Sequence, residues 1–180
     1  MIYRLLLTLL LTALPLCAAP RLSYEQRVEI QERNLQRFLH AVSQAASAAF
    51  EVTYVRGRPI DGRETTSISL PADEFKQLKQ SLSRTRSVPP ARTITSSRIT
   101  SIYRVELCLR DAQGNCLATY SLRCLFMKQS TAEALSPDRV GDEMKEPSWY
   151  LPDADYEAFR NLPSLKKAYQ EAEKQFRSRS

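Results

Sequence analysis

Residues 103–126 read YRVELCLRDAQGNCLATYSLRCLF, and the fold follows from this stretch. Apolar and polar residues alternate on both sides of the sequence Asp-Ala-Gln-Gly at 111–114. Alternation with a period of two is typical of half-buried strands, and Asp first with Gly fourth suits a type I turn. The pattern therefore predicts an antiparallel β-hairpin with both apolar sets on one face. The predicted register pairs Leu109 with Cys116, Leu107 with Ala118, and Val105 with Tyr120.

The same register decides where the cysteines of the hairpin lie. Cys108 falls on the face opposite to Cys116 and Cys124. Cys116 and Cys124 share a strand, but at the rise of a β-strand they are separated by roughly 26 Å. A disulfide needs Cα atoms within about 7 Å of each other. The hairpin therefore predicts three unpaired thiols that pack as small hydrophobes, and no shared zinc site.

A long helix is predicted before the hairpin. Residues 23–26 read SYEQ, which matches a capping box at a helix N-terminus. Apolar residues then recur at spacings of mostly three and four, which is typical of an amphipathic helix. They are Val28, Leu35, Phe38, Val42, Ala45 and Ala49. We expect one helix over 24–49 whose apolar stripe faces the core, with self-association along this stripe as the alternative.

The rest of the chain adds shorter elements to this pair. Alternating residues predict strands at 50–54 and 66–70, and the apolar run at 149–151 predicts an edge strand. Proline is favoured at the start of a helix, and Pro71, Pro152 and Pro163 each precede a helical apolar pattern. The predicted fold class is therefore α+β. Its long N-terminal amphipathic helix packs on a mostly antiparallel sheet, and further helices follow towards the C-terminus.

Residues 1–18 are predicted to be a signal peptide that is removed. A basic residue, Arg4, precedes the apolar run 5–16 and then small residues, which is the order of a secretory signal. The apolar run is too short for a transmembrane helix, which needs about 20 residues. Cleavage after Ala18 leaves a single domain, 19–180, with no transmembrane helix, in the periplasm or outside the cell. Lipid attachment at Cys17 is the alternative.

The composition excludes several classes of function. A chain of 180 residues, with 43% apolar and 26% charged residues, forms one ordinary domain with a real core. Its four glycines and one histidine cannot supply dinucleotide-binding, P-loop or HExxH motifs. That histidine, His40, lies on the predicted long helix, and nothing around Cys108 would activate a thiol to act with it. We therefore predict no catalytic residues, no cofactor and no metal site.

The positive charge is unevenly distributed along the chain. The net charge is +6, and residues 84–98 hold four arginines and two prolines without an acid, which predicts an exposed loop. The arginines form the predicted partner-binding set, suited to an acidic protein or another polyanion. They are Arg84, Arg86, Arg92 and Arg98. Nucleic acid is not expected as a partner, because no aromatic residues are interleaved with these arginines.

Two functions remain open from the sequence. The first is an exported, non-catalytic binding domain that docks an acidic or polyanionic partner. The alternative is an exported hydrolase that uses carboxylates of the region 138–157. It requires a deep cleft in which two of these side chains converge. They are Asp138, Asp142, Glu143, Asp153 and Asp155.

Overall fold

The computed structural model describes residues 22–54, 65–95, 103–122, 125–136, 138–142 and 147–177, and within them the predicted α+β class is confirmed. The helices are α1 (Tyr24–Gln44), α2 (Ala72–Leu82), α3 (Gln129–Glu133), α4 (Asp153–Arg160) and α5 (Pro163–Arg177). The strands are β1 (Ser47–Tyr54), β2 (Thr65–Ser69), β3 (Arg86–Ser87), β4 (Thr93–Thr95), β5 (Tyr103–Arg110), β6 (Cys116–Ser121), β7 (Phe126–Lys128), β8 (Val140–Asp142) and β9 (Trp149–Leu151). None of these helices combines the length and the apolar character needed to cross a bilayer.

The main sheet is antiparallel and runs in the order β2-β1-β5-β6. Residues of α1 and α5 share one hydrophobic core with the sheet, in which Phe50 of β1 and Leu107 of β5 are fully buried. Side chains alternate between the faces of a strand. Glu51, Cys108 and Arg110 therefore lie on the opposite face, away from the two helices.

The predicted hairpin forms as β5 and β6, but its predicted register is wrong. The observed pairs are Leu107–Tyr120, Leu109–Ala118 and Arg110–Cys116. The pairing thus shifts by two residues along most of β6, which keeps the apolar residues on one face. Leu117 is an extra residue between two consecutive pairs, so it forms a β-bulge. On the turn side of the bulge, Cys116 lies on the face opposite to the predicted one, whereas Ala118 and Tyr120 keep their predicted face.

The turn explains this shift. The backbone N–H of Asp111 donates to the carbonyl of Asn115, which closes a five-residue loop at 111–115. The Asp111 carboxylate accepts hydrogen bonds from the backbone N–H groups of Gln113 and Asn115. Gly114 has φ +84°, a left-handed conformation that favours glycine. The backbone N–H of Gly114 also donates to the Asp111 carbonyl at 3.1 Å, so a turn forms at the predicted residues 111–114, but the loop extends one residue beyond it.

The bulge also overturns the prediction for the cysteines. Because it moves Cys116 to the face opposite the core, the Sγ atoms of Cys108 and Cys116 lie 3.3 Å apart. The prediction that they occupy opposite faces is wrong. Cys108 is buried and Cys116 is exposed. Cys124 lies outside the described residues.

The long helix begins at Tyr24, where both hydrogen bonds of the predicted capping box with Ser23 are present. It ends at Gln44 rather than at residue 49, because Ala45 is extended and β1, which contains Ala48 and Ala49, begins at Ser47. Lys79 of α2 donates from Nζ to the carbonyls of Ser43 and Ala45, which satisfies acceptors at the end of the helix. The predicted extension to residue 49 is therefore wrong.

A second, three-stranded sheet has the order β3-β9-β7. Strand β9 is antiparallel to β3 and parallel to β7, so the strand predicted at 149–151 is central and not at an edge. Strands β4 and β8 form a separate parallel pair. Residues 84–95 therefore contain two short strands, with Val88 and Ala91 buried between them, while the arginines at 84, 86 and 92 are exposed. Arg98 lies outside the described residues.

Phe38 of α1 joins the two larger sheets. Its ring is fully buried, and its centroid lies 4.9 Å from Tyr120 of β6. It lies 5.9 Å from Phe126 of β7 and 4.6 Å from Trp149 of β9. One side chain of the helix therefore contacts an aromatic residue in each of three strands.

Replacing Phe38 tests this arrangement. We expect Phe38→Ala to lower the free energy of unfolding by about 4 kcal/mol, since it leaves a cavity at the junction of the sheets. Urea denaturation followed by circular dichroism measures the change. Arg37→Ala, at the exposed neighbouring position, should stay within about 0.5 kcal/mol of the wild type. A loss below about 1 kcal/mol for Phe38→Ala would contradict the central role of this contact.

Candidate functional site

A groove of about 240 Å³ lies between α1 and the segments 88–94, 139–142 and 147–149. Its apolar lining includes Leu22, Ile30, Pro89, Pro90, Ile94, Pro147 and Trp149. Its polar lining consists of Arg27, Gln31, Asn34, Arg139, Asp142 and Ser148. The lining is thus mainly apolar, with two cationic side chains and one carboxylate.

Hydrogen bonds hold the walls of the groove together. Gln31 of α1 donates from Nε2 to the carbonyls of both Val88 and Ser148. The backbone N–H of Val88 also donates to the Ser148 carbonyl at 2.9 Å. Arg139 donates from Nη1 to the Pro89 carbonyl at 3.2 Å. The groove is therefore formed before any ligand enters.

One end of the groove is basic. Arg27, which lines it, donates from Nη2 to the backbone carbonyl of Arg92 at 2.9 Å. The guanidinium groups of Arg27 and Arg92 lie 5.8 Å and 6.0 Å from the centroid of the Tyr24 ring, within cation–π range. Arg92 also pairs with Asp138, with Nε and Oδ1 3.1 Å apart. Tyr24 thereby keeps two cations close together.

Two residues that line the groove carry buried donors with no hydrogen-bond partner in the described part of the chain. They are Arg27, at Nε, and Trp149, at Nε1. Buried polar atoms are nearly always hydrogen-bonded, and an unsatisfied one carries a desolvation cost. Both atoms are donors, so the group that would satisfy them is an acceptor such as a carbonyl or a carboxylate.

The predicted arginines occupy different surroundings. Arg84 donates from Nη1 to Oδ2 of Asp155 at 3.3 Å, where α2 packs against α4. Arg86 is exposed and donates to the backbone carbonyl of Thr85. Arg92 is the member of the set that lies beside the groove, through its contact with Arg27. Arg98 is outside the described residues.

The predicted carboxylates also have different partners and lie in different parts of the structure. Asp138 and Asp155 pair with the arginines described above. Asp153 accepts a hydrogen bond from the backbone in the first turn of α3, and this bond lowers the pKa of its carboxyl group. Asp142 lines the groove, and Glu143 lies outside the described residues. The described part of the chain therefore brings one predicted carboxylate to the groove, and not a pair.

In the part of the chain that the structure describes, neither His40 nor Cys108 lines the groove. The described residues contain no group of three or more His, Cys, Asp or Glu that could hold a metal ion. His40 is exposed on α1, and Cys108 is buried in β5. Comparison with protein-family models, curated proteins and solved structures gives no significant match, so the function is inferred from the groove itself.

Sequence patterns did not identify this groove, because its walls come from four segments of the chain, α1 and residues 88–94, 139–142 and 147–149. Arg27 and Ile30 belong to the predicted helix, where they read as ordinary polar and apolar positions. The available signals were the prolines at 89, 90 and 147 and the single tryptophan, Trp149. These residues become neighbours only after β3 pairs with β9.

Gln31 provides a test of how the groove is held open. Gln31→Glu keeps the shape of the side chain but replaces its donors with acceptors that face two carbonyls. We expect a loss of about 2 kcal/mol in the free energy of unfolding, measured by urea denaturation. Asn34→Asp makes the same chemical change at an exposed groove position and should cost about 0.5 kcal/mol or less. Equal costs for the two variants would show that Gln31 does not hold the walls.

Proposed function

We propose that the chain is an exported, non-catalytic binding domain whose groove receives an acidic segment of a partner polypeptide. The observation that supports this proposal is that one groove combines exposed apolar side chains with hydrogen-bond donors of an arginine and a tryptophan. The apolar walls would take an apolar side chain of the partner, and the basic end would take its neighbouring carboxylates.

The size of the groove supports a polypeptide rather than a small-molecule ligand. Sites for drug-sized ligands usually occupy about 300–1,000 Å³. A volume of about 240 Å³ is smaller, and it suits one or two side chains that anchor a larger partner. Binding energy at protein interfaces is concentrated in such anchors.

The exposed apolar residues support the same location. Four large apolar residues are exposed in the described part of the chain: Leu22, Ile30, Leu117 and Val140. Leu22 and Ile30 line the groove, and Val140 lies between two residues that line it. Clustered exposed apolar residues mark interaction sites, whereas isolated ones need no explanation.

The charges favour an acidic partner. Three arginines lie at the groove, since Arg27 and Arg139 line it and Arg92 lies next to Arg27. The nearby carboxylates are two, Asp142 in the lining and Asp138, which pairs with Arg92. The net charge of +6 adds long-range attraction for an acidic surface. Both Arg84 and Arg92 are ion-paired, but Arg84 lies with Asp155 where α2 packs against α4, whereas Arg92 lies next to the groove-lining Arg27. We therefore place the partner-binding role of the arginine segment at Arg92.

A peptide-selection experiment tests this proposal. A phage-displayed library of random peptides is selected against the immobilised protein, and binding of the selected peptides is measured by fluorescence of Trp149, the single tryptophan. We expect selected sequences to combine a bulky apolar residue with two or more acids, and their affinity to fall as salt rises. Ile30→Asp should weaken binding at least about tenfold, because it removes an apolar anchor and adds a negative charge that repels the acidic peptide.

Leu117→Asp is the matched control. Leu117 is 40% exposed and Ile30 is 39% exposed, but Leu117 lies on the bulge of β6 and does not line the groove. Its substitution should leave the affinity unchanged. Selection of basic or uncharged peptides, or equal losses for the two variants, would refute the proposed site.

Export rests on the N-terminal sequence and has its own test. The full chain is produced in a bacterium with a periplasm, the cell fractions are separated, and the mature N-terminus is determined by mass spectrometry. We expect a periplasmic protein that begins at Ala19, both for the wild type and for Cys17→Ala. A membrane-bound, acylated protein that disappears in Cys17→Ala would establish the lipid anchor instead. Retention of the uncleaved chain in the cytosol would contradict export.

A further inference from the structure

The two cysteines of the hairpin form a close pair on the face of the main sheet opposite the core. Their Sγ atoms lie 3.3 Å apart, across the end of the β5–β6 ladder where Leu117 bulges. We propose that Cys108 and Cys116 are a disulfide-forming pair that closes when the protein meets an oxidising disulfide. This inference stands on the hairpin alone and does not depend on the groove.

The geometry requires only a small movement. A disulfide bond is about 2.05 Å long, so the two sulfur atoms must approach by about 1.3 Å. Cys116 is exposed, and its Sγ lies within 3.3 Å of the Thr119 hydroxyl as well as of Cys108. Cys108 pairs with Thr119 and Cys116 with Arg110, so the two cysteines are diagonal neighbours on one face of the ladder. Closure therefore requires rotation of the exposed Cys116 side chain together with a small backbone adjustment at the bulge.

The exposure of the two thiols sets the order of events. The thiolate of Cys116 attacks an external disulfide, such as oxidised glutathione, forms a mixed disulfide and releases one thiolate, which takes up the proton that Cys116 gave up. Cys108 then loses its proton and attacks Sγ of Cys116, which releases the second thiolate. The two protein thiols lose two electrons and two protons in total, and the external disulfide becomes two thiols. Exported proteins meet such oxidants.

The surroundings of Cys108 make the second step slow. Burial raises the pKa of Cys108 to about 12, and the hydrogen bond to Cys116 and the charge of Glu51 on β1 act in the same direction. The guanidinium of Arg110 on β5 opposes them, but it is paired with Glu51 at 2.9 Å. Few Cys108 thiolates exist at neutral pH, so the rate of ring closure should rise about tenfold per pH unit between pH 7 and 9.

Peptide mapping tests the pair directly, because trypsin separates every cysteine. Cys108 lies in peptide 105–110, Cys116 in 111–123, Cys124 in 124–128 and Cys17 in 5–21. The reduced, folded full chain is incubated with oxidised glutathione, quenched at intervals with acid and digested. We expect a glutathione adduct on 111–123 first, and then peptide 105–110 linked to 111–123, with the intact mass about 2 Da below that of the reduced chain.

Single variants separate the two steps. Cys108→Ala should stop at the glutathione adduct of Cys116, and Cys116→Ser should leave Cys108 largely unmodified in the folded protein. A link from either cysteine to Cys124, a wild-type adduct on Cys116 that never closes, or two free thiols at equilibrium would each overturn the proposal. A closure rate independent of pH would overturn the assigned role of Cys108.

Discussion

The burial of Phe38 is the contact on which the rest of the structure depends. Its ring meets Tyr120, Phe126 and Trp149, which belong to three strands in two sheets. Aromatic pairs of this kind contribute about 0.5–1.5 kcal/mol each beyond the burial of their area. Because Trp149 also lines the groove, the contact that fixes α1 on the sheets also fixes one wall of the proposed binding site. Trp149 therefore belongs both to the aromatic core and to the proposed binding site.

Local patterns predicted most of the elements because their causes are local. The capping box at Ser23 determines where α1 begins, and the alternation of apolar and polar residues determines the two strands of the hairpin. The end of α1 was missed because alanines fit both a helix stripe and a buried strand. The helix ends at Gln44 because β1 pairs with β5 and because Lys79 of α2 donates a hydrogen bond to the Ala45 carbonyl. Neither contact is visible in the sequence near residue 44.

The register and the groove were missed for a related reason. The bulge at Leu117 depends on how the loop closed by Asp111 and Asn115 joins the two strands. The alternation of apolar and polar residues within each strand does not predict it. The groove requires α1, the segment after β3 and the segment before β9 to meet. Of the arginines predicted as a partner-binding set, the described part of the chain therefore places only Arg92 beside the groove, while Arg84 is engaged by Asp155.

Strand β6 connects the cysteine pair to the aromatic core, since it carries Cys116 at one end and Tyr120 near the other. Energetic coupling between two sites requires an element with two discrete arrangements. Tyr120 packs against both Phe38 and Trp149, with ring centroids at 4.9 Å and 6.0 Å, and these contacts restrain its ring. A covalent link between Cys108 and Cys116 would tie the exposed edge strand to β5 without moving that ring. Closure of the proposed disulfide would therefore act on the stability of the hairpin, whereas the groove is formed by α1 and its contacts with the segments around Val88 and Ser148.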